Sequence, residues 1–295
     1  MAEYVLSCCS TADLSREHLE RRGIPFACFH FSVNGKQYRD DLGESYPLDA
    51  FYRDLENGAE TTTSQVNVED FQQHFAPILE QGKDILHICL SSGLSGVGNA
   101  AHIAKEELAA KFPERRIEIV DSLCASSGYG LLMDRLADLR DEGKTLSEVR
   151  DFALENRLRV NHWFFSADLT AYVKGGRISK AAGWFGTALN ICPLLNMNRE
   201  GRLVPRQKLR GKGKAIKEIV ARMELLADGG TDYAGKVYLS HSACREDAEK
   251  VAQLVEERFP HIDGEPEIHN VGTAIGSHTG PGTVALFFWG KERGE

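Results

Sequence analysis

A two-domain α/β protein is predicted, with a mostly parallel, helix-covered sheet in residues 1–160 and a second α/β domain in residues 161–295. Three observations predict it. Short apolar runs alternate with stretches of helical period up to about Glu155, which is the pattern of strands joined through covering helices. One such run, Asp84–Gly96, ends in a serine- and glycine-rich turn that opens directly into a helix. From Trp163 the character changes, with a basic, glycine-hinged turn and then an uncharged segment, and no linker marks the junction, so the halves are expected to pack closely and leave a pocket between them.

Taken in order, Tyr4–Cys8 reads as a strand, and Ser10-Thr11-Ala12-Asp13 as the turn and cap of a helix through Leu19. Phe26–Ser32 is strand-like, and Asn34-Gly35 is a tight-hairpin signal leading into Lys36–Arg39. Leu48–Leu55 is a short helix. Thr61–Gln65 is a hydroxyl-dense loop before a helix capped near Asn67, either a solvated cap or a ligand site.

The central run places Ile85, Leu86, Ile88, Cys89 and Leu90 in a buried strand, followed by Ser91, Ser92, Gly93 and Ser95 at a helix N-terminus. Unpaired backbone N–H groups and hydroxyls there suit a carboxylate or phosphate, although Ser95 as a simple cap fits the same pattern. Arg116–Val120 is a further strand, Ser126–Leu139 a helix, and Thr145–Glu148 a capping box for a helix to about Glu155. Ser10, Ser92, Ser95 and Ser122 all fall at strand-to-helix turns, the edge where such sheets bind ligands.

Beyond the junction, His162–Ala167 is a strand and Lys174-Gly175-Gly176-Arg177 a basic, glycine-hinged turn. The uncharged Ala181–Leu195 segment reads as core and as a candidate wall of an apolar cavity. Gly201-Arg202 is a turn between strands, Ile216–Met223 and Ala248–Val255 mark helices, and Val237–Ser240 and Thr283–Trp289 mark strands. Gly276–Gly282 crowds glycine and proline around His278, so a rigid loop is expected there rather than a helix or strand. Arg206, Lys208, Arg210, Lys212 and Lys214 cluster, either as a solvated face or as a docking patch.

Composition narrows the function. With 35 basic against 43 acidic residues the net charge is −8, so no global attraction to nucleic acid or anionic lipid is expected. Seven scattered cysteines without C-x-x-C suggest reduced thiols, and the N-terminus lacks a basic-then-apolar segment, so a cytoplasmic location without a secretory signal is expected. Glycine, proline, asparagine and histidine interrupt the uncharged stretches, so no transmembrane segment is expected, which leaves transient membrane contact open. There is no H-E-x-x-H, no P-loop and no G-x-S-x-G, and no metal or cofactor is expected.

Six segments together resemble the DegV family, the fatty-acid-binding B subunits of bacterial fatty acid kinase. They are Ser10–Leu14, Thr63-Ser64-Gln65, Ser91–Gly96, Val120–Ser122, Lys174–Ile178 and Ile275–Gly282, in the family's order and over nearly the whole length. The resemblance implies a non-catalytic, lipid-binding protein with a long-chain fatty acid between the domains. Its carboxylate would be held by Ser95 and Thr63 with His278 close by, and Ser92 belongs to the same turn. The acid would be presented to an ATP-binding kinase subunit for acyl-phosphate formation and phospholipid synthesis, docking through the stretch around Arg206, Arg210 and Lys212. Cys9 stands where the family usually has Asp. The competing reading is a serine esterase or thioesterase using Ser95 and His278 with an acid such as Asp121.

Overall fold

The structure is a computed structural model that describes residues 4–179 and 190–295. Chain order is β1 (Tyr4–Cys9), α1 (Arg16–Arg21), β2 (Phe26–Ala27), β3 (His30–Val33), β4 (Lys36–Arg39), α2 (Leu48–Glu56), β5 (Thr61–Ser64), α3 (Val68–Glu80), β6 (Asp84–Cys89), α4 (Val97–Ala109), β7 (Ile117–Asp121), α5 (Ser126–Asp141) and α6 (Leu146–Asn156). The second half continues with β8 (Val160–Ser166), α7 (Thr170–Lys174), β9 (Ile191–Met197), β10 (Leu203–Arg210), α8 (Lys212–Leu226), β11 (Tyr238–His241), α9 (Arg245–Arg258), β12 (Glu267–Asn270), α10 (Thr273–Thr279) and β13 (Thr283–Trp289).

The first lobe is a parallel sheet in the order β2-β1-β6-β7. Its central strand β6 is buried after Asp84, as an apolar run covered on both faces requires. The helices start where local chemistry dictates: Asn67 and Asp70 form one capping box, and Thr145 and Glu148 another. The second lobe is a six-stranded mixed sheet, β10-β9-β8-β13-β11-β12. Period-two alternation splits its side chains. Trp163, Phe165, Leu239, Leu286 and Phe288 pack in one core with α8 and α9, while His162, Phe164, Ser240, Ala285 and Phe287 face the first lobe. Helix α5 is buried on nearly every side and lies against strands of both sheets. Glycine makes that possible, because a Cβ on Gly128 would stand 2.4 Å from His162 Nε2.

Several expectations are corrected. Thr61–Ser64 is not a loop but the strand β5, paired antiparallel to β3 with Thr63 opposite Phe31 in a small sheet with β4. The Asn34-Gly35 hairpin of that sheet has both residues at positive φ, as a primed turn requires. The cap of α1 is Ser15; Asp13 instead sits in the left-handed region and turns inward. Gly276–Thr279 lies within α10 rather than in a loop, and only Gly280 and Gly282 adopt positive φ. The helix tolerates Gly276 because a Cβ there would come within 2.6 Å of the Tyr52 hydroxyl. The glycine marks a close contact, not a helix break. Within the uncharged Ala181–Leu195 segment, residues 181–189 lie outside the described residues, and Ile191–Met197 forms β9.

Candidate functional site

Between the inner face of the six-stranded sheet and the first lobe lies a cavity whose non-atom space, open solvent included, is about 840 Å³. Leu90, Phe164, Met197, Leu203, Ile275 and Phe287 contribute apolar wall. At one end, Thr63 from β5, Ser95 before α4, Arg177 after α7 and His278 from α10 reach the same space.

Thr63 Oγ1 and His278 Nε2 are 2.7 Å apart. Arg177 Nη1 stands 3.4 Å from His278 Nδ1, and the same guanidinium donates to the Gly175 and Leu94 carbonyls at 2.5 and 3.3 Å. Gly175 must be glycine here, since a Cβ would lie 2.3 Å from His278 Nδ1. A guanidinium only donates, so His278 Nδ1 accepts. Burial, with the Arg177 charge beside it, lowers the His278 pKa to about 4, so the ring is neutral near pH 7 with its one proton on Nε2. That proton goes to Thr63 Oγ1. The Thr63 hydroxyl proton is thereby left free to donate into the cavity.

Arg177 was missed as a site residue by sequence reasoning, although its turn belongs to the motif Lys174–Ile178. Burial pulls its pKa down, and among the described residues no carboxylate pairs with it. Among the described residues Arg177 is thus a half-buried cation facing an apolar cavity with no acid beside it, a setting that suits an anion.

The serine-rich turn behaves differently from expectation. Its amides are largely used internally: Ser92 N–H donates to Asp121 Oδ1, Gly93 N–H to Ser91 Oγ, and Leu94 and Ser95 N–H to the Ser91 carbonyl. Ser95 Oγ accepts from Val97 N–H at 3.3 Å and reaches Gln65 Oε1 at 3.4 Å while lining the cavity. Ser92 is exposed and is not part of the cavity lining. The turn is seated against the β9–β10 connection, with Ser91 Oγ donating to the Gly201 carbonyl at 2.8 Å.

The esterase constellation is not assembled. His278 spends both nitrogens on Thr63 and Arg177, Ser95 Oγ meets Gln65, and Asp121 accepts the N–H groups of Ser92 and Leu123. Cys9 turns into the core, its thiol 3.6 Å from His87 Nε2, and burial pushes its pKa well up. Among the described residues no group of three or more His, Cys, Asp or Glu is arranged to hold a metal, and no helix is long and apolar enough to cross a membrane.

Arg206, Lys208 and Arg210 alternate along the exposed face of the edge strand β10, and Lys212 at the start of α8 pairs with Asp247 at 2.7 Å. Arg206 is engaged by Asn196 and by the Glu295 carbonyl. The basic stretch lies on the outer edge of the second sheet, and neither Arg206, Arg210 nor Lys212 lines the cavity.

Fold and cavity together define an α/β protein that closes an apolar space over a hydroxyl and a cation that no carboxylate pairs among the described residues. The chain belongs to the DegV family: the family described as "Uncharacterised protein, DegV family" matches residues 9–291. A DegV domain-containing protein of Clostridium perfringens is 34% identical over 99% of both chains. Among solved structures, a DegV family protein from Thermus thermophilus, described for its fatty acid binding, superposes with a TM-score of 0.86 at 29% identity, covering 99% of this chain and 100% of the other. A DegV lipid binding protein from Thermotoga maritima follows with a TM-score of 0.83 at 26% identity, covering 99% of each.

Proposed function

We propose that this protein binds a long-chain fatty acid in the cavity between its lobes, divided near residue 160, and presents the carboxylate to a separate ATP-using kinase subunit in the cytoplasm. The observation that carries the binding step is the cationic, hydroxyl-bearing end of an otherwise apolar space. The related proteins described as binding fatty acid or lipid support it.

Each buried methylene is worth about 0.8 kcal/mol, so a long acyl chain supplies on the order of 10 kcal/mol before the costs of association. Affinity therefore belongs to the walls. The carboxylate would meet the Arg177 guanidinium, the free proton of Thr63 and the Ser95 hydroxyl, with His278 holding Thr63 in orientation. These groups select an acid over an ester or alcohol, because a buried carboxylate is tolerated only when it is paired or hydrogen-bonded.

The protein itself needs no catalytic group in this scheme. The kinase step draws support from the family resemblance and from the exposed basic edge at Arg206, Arg210 and Lys212, which suits an acidic partner surface. The test is extraction of the purified protein and mass spectrometry of the released lipid, followed by binding to the Thr63→Val/Ser95→Ala variant. Long-chain acid in the wild type and weakened acid binding in the variant are expected. Protein that neither carries nor binds such acids overturns the reading.

A further inference from the structure

The cavity has a second polar station away from the carboxylate site. Thr11, Ser126 and Ser240 also line it. Ser126 Oγ donates to Asp13 Oδ2 at 2.5 Å and lies 3.0 Å from Ser240 Oγ. The Ser126–Ser240 contact runs in either sense and uses one hydrogen-bonding position of Ser240 Oγ, which keeps a lone pair for another donor. Thr11 is 1% exposed, and its Oγ1 is buried with no hydrogen-bond partner among the described residues. Buried hydroxyls are normally paired, so an unpaired one on a cavity wall marks a place for a ligand atom.

The two stations lie at opposite ends of α10. Asp13 Oδ1 accepts the Gly272 N–H at 3.0 Å at the start of that helix, and His278 touches Thr63 near its end. Gly272 to His278 spans roughly 9 Å of helix axis. That offset corresponds to several methylenes, not to the whole length of a long acyl chain. Asp13 and Ser126 both stand in the left-handed backbone region, so the fold accepts local strain to place them.

We propose that this inner station selects fatty acids that carry a hydroxyl part-way along the acyl chain, with Thr11 and Ser240 as the partners of that hydroxyl. The inference rests on the fatty-acid reading above and adds a ligand class to it. A plain acyl chain leaves the Thr11 hydroxyl dry and unpaired, whereas a mid-chain hydroxyl donates to Ser240 Oγ and accepts from Thr11.

The test is competitive displacement of a fluorescent fatty acid by 9-hydroxystearic acid and by stearic acid, which differ by one hydroxyl at the depth of the inner station. In wild-type protein 9-hydroxystearic acid is expected to bind roughly tenfold more tightly, the scale of one well-placed hydrogen bond. Thr11→Val, which keeps the shape and removes the hydroxyl, is expected to bring the ratio close to one. Ser240→Ala is expected to lower the ratio as well, which provides a second readout should Thr11→Val fold poorly. Tight and equal binding of both acids by wild type, or a preference that survives both substitutions, overturns the inference alone. Failure of both acids to bind overturns the fatty-acid reading and this inference with it.

Discussion

Replacing Arg177 by leucine tests the charge logic of the site most directly. The guanidinium is half-buried, touches His278 and the Gly175 and Leu94 carbonyls, and has no acid partner among the described residues. A hydrogen bond to a charged group contributes about 1.5–3 kcal/mol, and partial exposure places this one at the low end. Arg177→Leu should therefore weaken carboxylate binding roughly tenfold. Binding of the matching methyl ester should stay within about a factor of two, because the ester gains nothing from a cation and the apolar wall is intact. The assay is displacement of a fluorescent fatty acid by acid and ester in parallel, with Tm of the empty variant as a folding control. Equal losses for acid and ester would show that Arg177 works through packing. Unchanged acid affinity would remove it from the site altogether.

Further outcomes follow from the same geometry. His278→Leu should weaken acid binding by freeing Thr63 to rotate, whereas His278→Gln, whose amide can still donate to Thr63, should retain most of it; equal effects in calorimetry would exclude the orienting role. The His278 pKa is depressed to about 4 against 6.5 in the unfolded chain, so the unfolded state binds more protons in that window. Its contribution to stability is therefore lost as pH falls from about 6.5 to about 4, and the drop in Tm on acidification should be shallower in His278→Gln than in wild type. A Cβ at Gly93 would stand 2.5 Å from the Gly201 carbonyl, so Gly93→Ala should force the serine turn away from the β9–β10 connection, lowering both Tm and acid affinity; an unchanged Tm in a thermal melt would show that this seam yields freely. Charge reversal at Arg210 and Lys212 should abolish kinase-dependent phosphorylation of the bound acid and leave acid binding intact, and survival of phosphorylation would make this edge a solvated surface.

Strands β1, β6, β7 and β13 were legible because each is an apolar run between turn residues, and the caps at Asn67 and Thr145 because a cap is a local bond between side chain and backbone. Strand β5 was not legible: four hydroxyl residues carry no strand periodicity, and they are extended because β3 supplies their hydrogen bonds. The same limit governs the site. Thr63 and His278 could be singled out by motif, but their contact bridges 215 residues, and Arg177 reaches His278 across 101. Sequence reasoning assigned the carboxylate to hydroxyls, turn amides and an imidazole, since those are the groups the motifs display. In the folded chain the turn amides are largely consumed by Ser91 and Asp121, and the imidazole is neutral. Neutral donors alone are a weak counterweight to a buried carboxylate, so the charge has to come from elsewhere. What distinguishes Arg177 from the other described basic residues is that it faces the cavity with no acid beside it among the described residues, a property of its surroundings that no stretch of sequence around it displays.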